Sequence, residues 1–324
     1  VVFAEADHLD VLKAAQIVHD EGIAIPILLG RRDAIEKLKE EIEFDADVEI
    51  IDPKSDEEEA RKNTYAKVYW NQRNRRGVTL YSAQKIMRER NYFAAMMVNE
   101  GDADAMISGF SRSYPSVVKP VLELIGLAPD STRVATTNVM MTKRGPMFLS
   151  DTAININPSA EDLTKIAQMT AGVVKMFGME PVMAMISYSN FGSSKNQTAI
   201  KVREAVNYLH KRHPNLLVDG ELQADFALNR EMLQDTFPFS KLAGKKVNTL
   251  IFPNLESANI TYKLMKELNN SDSIGPIMMG LRKPVHILQL DASVDEIVNM
   301  TAIAVIDAQQ KEKKELENKA AIEK

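Results

Sequence analysis

The sequence predicts an α/β fold in two lobes, with mostly parallel sheets flanked by helices. Short apolar runs alternate with amphipathic stretches along nearly the whole chain, the pattern of strand-helix units. No repeat of about 20–50 residues is visible. The pattern shifts near Pro129 to Arg133 and returns near Gly280 to Pro284. Lobe I is therefore expected over 1–132 and 281–324, and lobe II over 133–280.

The elements follow in order. Val1 to Ala4 reads as a strand. Asp10 to Asp20 sets Val11, Leu12, Ala15, Ile17 and Val18 near one helical face, with Gly22 as the stop. Ile23 to Leu29 is a strand, Asp33 to Glu41 a helix and Val48 to Ile51 a strand. Glu57 to about Glu100 is helical, broken near Gly77 and Asn91. Ala105 to Ser108 is a buried strand, and the helix Ser116 to Ile125 ends at Gly126. Arg133 to Thr142 and Pro146 to Ser150 are strands joined by the turn Lys143-Arg144-Gly145. Ser159 and Asp162 form a capping box that opens a helix to about Phe177. Met183 to Ser187, Leu216 to Val218, Thr249 to Phe252 and Ile274 to Met278 read as strands. Ala199 to Arg212 and Ser257 to Leu268 read as helices, and Val294 to Gln310 is the last long one.

Composition narrows the class. Hydrophobic residues make up 45% of the chain, ample for a packed core. Charge is mixed, 40 basic against 45 acidic residues, which argues against nucleic acid as a partner. Cys is absent, so disulfides and thiolate metal sites are excluded, and a reducing cytoplasm is the expected location. No apolar run reaches the roughly 18 residues of a membrane span, so no membrane partner is expected. The chain opens on a strand, without an initiator Met or a signal-peptide pattern, and reads as a piece of something longer. Gln309 to Lys324 reads as the solvated end of the last helix.

Several residues invite two readings. Ser187 to Lys195, with Ser189, Ser193 and Lys195, follows a strand and precedes a helix. Its amides and hydroxyls suit a phosphate cradle, or an ordinary turn with a helix cap. It is not a Walker A loop, because the spacing is absent. Arg73 and Lys119, with Arg112 as a weaker candidate, are either anion-binding cations or solvated surface charges. His210 and His213 have i,i+3 spacing but sit in an exposed-looking helix end, so no metal site is expected. The Met96-Met97, Met140-Met141 and Met278-Met279 pairs read as core filler.

A set of landmarks runs through the chain in order. Among them are Tyr92-Phe93-Ala94-Ala95-Met96-Met97, Asp104-Ala105-Met106-Ile107-Ser108-Gly109 and Val118-Lys119-Pro120. Later come Asp151-Thr152-Ala153-Ile154-Asn155, Asp219-Gly220-Glu221-Leu222-Gln223, Ile251-Phe252-Pro253-Asn254-Leu255 and Gly275-Pro276-Ile277. From Val1 to about Gln309 the chain resembles phosphotransacetylases, the enzymes that exchange an acetyl group between phosphate and coenzyme A. The resemblance implies lobes like those of isocitrate and isopropylmalate dehydrogenases, with lobe II inserted in lobe I. It also implies a homodimer. From the switch points alone, the cleft between the lobes near the strand carboxyl ends is the expected ligand site. By the same resemblance, Arg73 and Lys119 stand at positions linked to substrate or coenzyme A binding, and the serine loop faces the ligand.

The departure from that family is local. Active members carry an adjacent Ser-Arg pair where this chain has Gln289 and Leu290, and an Asp where it has Glu296. Acetyl transfer to the thiol needs a base, a donor for the charged intermediate and a cation for the departing phosphate. Leu290 holds no charge, Gln289 reaches from a longer arm, and Glu296 is one methylene longer than Asp. Losing one such donor costs about 10²–10³ in rate. Turnover is therefore expected to be lost, unless Arg282 or Lys283 substitutes as the cation.

The run Lys283-Pro284-Val285-His286-Ile287-Leu288-Gln289-Leu290 is similar to the C-terminal domain of bacterial hybrid malic enzymes. In those, a phosphotransacetylase-like domain is joined to an NADP-dependent malic enzyme. The similarity implies a regulatory and oligomerisation role, with acetyl-CoA or a related acyl-CoA as allosteric ligand. The N-terminal malic-enzyme domain would be the partner. NADP and a divalent metal are expected only in that other half, and no cofactor here. Two competing readings stand beside it: a working phosphate acyltransferase, and a purely structural oligomerisation domain.

Overall fold

A computed structural model describes residues 1–269, 272–290 and 292–322. The chain forms two compact units, Val1–Pro129 with Leu281–Lys324, and Asp130–Gly280.

The first unit begins β1 Val2–Phe3, α1 Leu9–Asp20, β2 Ile27–Leu29, α2 Arg32–Glu41 and β3 Ile50–Ile51. It continues through α3 Glu59–Arg73, α4 Leu80–Ile86, α5 Arg90–Glu100, β4 Met106–Ser108 and α6 Tyr114–Leu124. The second unit runs β5 Ala135–Thr142, β6 Gly145–Ser150, α7 Ala160–Met176, β7 Val182–Ile186, α8 Gln197–Arg212 and β8 Leu217–Leu222. After it come α9 Ala224–Leu228, α10 Arg230–Thr236, β9 Thr249–Ile251, α11 Leu255–Asn269 and β10 Ser273–Met279. The chain then returns to the first unit with β11 Val285–Ile287 and α12 Val294–Ile322.

In the first unit five strands lie in the order β11-β4-β1-β2-β3, and every pairing is parallel. Val2 and Phe3 sit fully buried at its centre, as a parallel sheet covered on both faces requires. The second unit holds six strands in the order β10-β5-β6-β9-β7-β8. Its β6-β9-β7-β8 half is parallel, and the β10-β5-β6 half antiparallel. The tight turn at Gly145 (φ 97°) lets β5 and β6 pair directly.

Several sequence-level boundaries move, each for a local reason. β2 starts at Ile27 rather than Ile23, because the Ile23 and Ala24 amides fold back onto the Val18 carbonyl and finish α1. The helix break expected near Asn91 falls earlier, since the Glu89 carboxylate caps the Asn91 amide and leaves Asn91 inside α5. β8 runs four residues beyond Val218, to Leu222, because partners satisfy its polar Asp219 and Glu221. Helices α9 and α10 and strand β11 occupy stretches where the pattern marks no element. The α7 capping box between Ser159 and Asp162 is present as read. Among the described residues no helix is long and apolar enough to cross a membrane.

Candidate functional site

In the first unit the carboxyl ends of β1, β4 and β11 share one edge of the sheet. Glu5, just past β1, is buried and organises this edge. Its carboxylate accepts the amides of Gly109 and Phe110 at 2.7 Å each and of Ser111 at 3.1 Å, plus the Ser111 hydroxyl at 2.6 Å. A buried carboxylate with four donors is well compensated, so the loop from β4 towards α6 is pinned. Beside it, Arg90 grips Asp7 through two bonds of 2.6 and 3.1 Å. Burial pushes the Asp7 carboxyl up, but the Arg90 bonds outweigh it and hold the group below the usual range.

β11 delivers Gln289 to this edge. The Leu288 amide donates to the Ser108 carbonyl at 2.7 Å. Gly109 (φ 102°) passes so close that a Cβ there would lie 2.8 Å from Ile287 Cγ2 and 2.9 Å from the Leu288 carbonyl oxygen. Gln289 is half-buried, and Leu290 is 60% exposed, an apolar side chain facing solvent. Glu296 lies in the first turn of α12. The Ser293 amide donates to its Oε2 at 3.0 Å, and its own amide donates to Ser293 Oγ at 3.2 Å. That reciprocal pair is a capping box, so this carboxylate has a structural duty.

Arg73 and Lys119 are gathered around α6. Arg73, at the end of α3, pairs its Nη2 with Glu123 Oε1 at 3.2 Å, and its buried Nε makes no hydrogen bond. The hydroxyls of Tyr69 and Tyr92 donate to Glu123 Oε2 at 3.0 and 2.7 Å. Burial, then the Glu123 carboxylate, pushes both phenols up. Lys119 is exposed one helical turn before Glu123, on the same side of α6. Arg112 is exposed in the loop that Glu5 pins.

Lys283 is not part of this group. It precedes β11, whereas Gln289 follows it, so the two flank opposite ends of a parallel sheet. Lys283 pairs with Glu315 of α12 at 3.6 Å and lines a hollow of about 480 Å³ with Val1, Ala105 and Val305.

In the second unit the serine loop follows β7. Ser189 is buried, and its hydroxyl donates to Glu221 Oε1 at 3.0 Å and meets Ser193 Oγ at 3.0 Å. Ser187 Oγ accepts the Ser189 amide at 3.4 Å, and Ser193 Oγ accepts the Asn190 amide at 3.1 Å. The hydroxyls thus face their own loop. Lys195 is exposed. The anchor is Glu221, fully buried at the end of β8. It accepts Arg203 Nε at 3.0 Å, Arg203 Nη2 at 2.8 Å and the Gly192 amide at 2.9 Å. Burial raises the Glu221 carboxyl, and the Arg203 and Gly192 bonds reverse this to a net lowering.

Glu5, Glu123, Arg203 and Glu221 are the organising residues that the sequence does not single out. The available signal was a charged residue inside or beside an apolar strand, as in Phe3-Ala4-Glu5 and Val218-Asp219-Gly220-Glu221. Among the described residues no cluster of three or more His, Asp or Glu side chains is placed to hold a metal ion.

A family model described as phosphate acetyl/butaryl transferase matches residues 1–305. The chain belongs to that family. It is 36% identical to an NADP-dependent malic enzyme from Haemophilus influenzae over 96% of this chain and 41% of that protein. The chain thus spans about two fifths of the length of such malic enzymes, and corresponds to their C-terminal region. It is also 36% identical to a phosphate acetyltransferase from Thermoanaerobacterium thermosaccharolyticum, over 95% of each chain. The crystal structure of a phosphotransacetylase from Streptococcus pyogenes superposes with a TM-score of 0.87 at 36% identity, covering 96% of this chain and 94% of the other. The α/β fold with mostly parallel, helix-flanked sheets is the family's.

Proposed function

We propose that this chain is a non-catalytic, phosphotransacetylase-like domain of a longer NADP-dependent malic enzyme. In this reading it binds acetyl-CoA as an allosteric effector and assembles the protein as a homo-oligomer in the cytoplasm. The carrying observation is Leu290, exposed at the carboxyl edge of the β11 sheet where active relatives need a phosphate-holding Arg. An apolar side chain there can neither hold phosphate nor stabilise its departure. Glu296, the one carboxylate left at the family's base position, is tied into the α12 cap. The proposal includes the dehydrogenase-like lobe arrangement. Arg73 and Lys119 supply positive charge to the acyl carrier. NADP and a divalent metal would be handled by the attached malic-enzyme domain, which oxidises and decarboxylates malate to pyruvate. Inhibition then requires acetyl-CoA to bind two states of the full protein unequally.

The second reading is an active phosphate acyltransferase, favoured by the end-to-end match to a phosphate acetyltransferase at the same 36% identity. One experiment separates them: calorimetric titration with acetyl-CoA, free coenzyme A and acetyl phosphate, with product assayed in the same samples. Binding of acetyl-CoA without product supports the sensor. Product formation establishes the acyltransferase. No binding rejects both and leaves assembly alone.

A further inference from the structure

Lys201 ties three segments together at the carboxyl end of the parallel half of the second unit's sheet. It sits in the second turn of α8 and is half-buried. Its Nζ donates to Asn157 Oδ1 at 2.8 Å and to the Pro253 carbonyl at 2.9 Å. Asn157 lies between β6 and α7, and Pro253 follows β9. Both partners are neutral oxygens. Among the described residues no carboxylate pairs with this amine, whereas Lys62 meets Glu59 at 2.9 Å and Lys311 meets Asp307 at 2.6 Å. The carboxylate whose field reaches Lys201 is Asp162. It is engaged elsewhere: Arg133 pairs with it at 2.5 Å, and the Ser159 amide donates to it at 2.9 Å.

That arrangement favours the free amine. An ammonium brings three N–H groups to two oxygens here. The free amine keeps two N–H groups, enough for both oxygens. Its lone pair then takes the place of the third N–H, turned away from Asn157 and Pro253. Losing the proton therefore costs no hydrogen bond, and no paired negative charge resists it. Burial acts in the same direction and lowers the proton affinity of this amine, with Asp162 opposing.

We infer that Lys201 is an acyl-acceptor site, a lysine that takes an acetyl group from an activated donor, either an acyl phosphate or an acyl thioester. The Nζ lone pair attacks the donor's carbonyl carbon and a C–N bond forms. The bond from that carbon to the phosphate oxygen or thiol sulfur breaks, and the phosphate or thiolate leaves with the electron pair. The proton shed by nitrogen goes to water. The product amide carries one N–H and no charge. Only one of the two oxygens then keeps its donor, and the tether between the Asn157 and Pro253 segments is cut. Acetylation of this kind requires neither the allosteric site nor the attached domain of the proposed function.

The test is site occupancy in the full 324-residue chain, read by peptide mass spectrometry over a time course with acetyl phosphate. Lys201 should be acetylated several-fold faster than Lys175, Lys195 and Lys211, which are exposed in the same unit. A parallel course with acetyl-CoA tells the two donor classes apart, and a lead for Lys201 with either one supports the site. Asn157→Asp keeps the side-chain shape and sets a carboxylate against Nζ, which holds the proton in place. It should slow Lys201 by about 3- to 10-fold, a range discounted for solvent screening, and leave the three exposed lysines unchanged. A Lys201 that matches or lags the exposed lysines with both donors overturns the proposal. So does a Lys201 rate that Asn157→Asp does not move. The comparison within the parent chain needs no variant, so it decides even where Asn157→Asp fails to fold.

Discussion

Ser293 and Glu296 cap each other at the start of α12, amide to carboxylate at 3.0 Å and amide to hydroxyl at 3.2 Å. Glu296, where the resemblance to phosphotransacetylases implies a catalytic base, is thereby the third helical residue of a capping box. A Glu that also holds a helix end is a poor proton shuttle, because taking a proton weakens its acceptor role.

Glu296→Ala should therefore cost stability of about 0.5–2 kcal/mol, the range for a lost cap. Chemical denaturation of parent and variant checks this. A variant as stable as the parent would show the cap to be idle.

The double variant Gln289→Ser, Leu290→Arg builds the Ser-Arg pair that the resemblance implies for active members of the family. Acetyl transfer from acetyl phosphate to coenzyme A should rise on the order of 10²-fold over the parent, as restoring one oxyanion donor implies. A folded double variant without this gain would mean that the loop above Gly109 no longer aims these side chains at a shared point.

Arg203→Ala removes two bonds from Glu221 and leaves a fully buried carboxylate on one amide and one hydroxyl. Because Arg203 is partly solvated, the loss should be about 2–4 kcal/mol, between a surface pair and a buried one. The Glu221 carboxyl is held below the usual 4.5 of a free Glu in the fold. Its contribution is present above that value and fades as pH falls through the lower folded one. Urea midpoints of parent and variant should converge in that acid range.

His286 is buried on β11, 3.7 Å from Asp307 of α12, which Lys311 also holds at 2.6 Å. Burial pushes the imidazole down from 6.5 to about 4, with Asp307 opposing and Lys311 assisting. The unfolded chain then binds the extra proton first. Stability from this group is full above about 6.5 and falls towards pH 4, by at most about 1.4 kcal/mol per pH unit. His286→Leu should flatten that slope relative to the parent. Equal slopes would place the acid sensitivity elsewhere.

Periodicity made most elements legible, because strand-helix alternation and the S-x-x-D cap of α7 are written in neighbouring residues. Strand β11 was not, since Val285-His286-Ile287 is three residues long and gains its identity only by pairing with β4. The serine loop read as a ligand cradle because hydroxyls look alike whether they face a phosphate or Glu221. Ser293 and Glu296 are spaced as a capping box in plain view, yet the family motif around them draws attention to chemistry instead. Lys283 and Gln289 are six positions apart in sequence, and only the parallel strand between them reveals opposite ends. Glu5 carries no motif, and Glu221 lies in a landmark run that says nothing of its partners. Their partners lie up to 106 and 32 residues away, and such distant pairings leave no local trace.

The chain leaves the first unit and rejoins it side by side, with Leu127 bridged to Leu281 and the Arg282 amide donating to the Gly126 carbonyl at 3.2 Å. During synthesis this geometry imposes a wait. Everything from 130 to 280 must emerge before β11 can reach β4. Until then β4 is an unprotected edge carrying Met106 and Ile107, open to pairing with a neighbouring nascent chain. A ribosome stalled late in the second unit would expose that edge longest. Truncation anywhere before Val285 should therefore yield aggregate rather than a soluble first half.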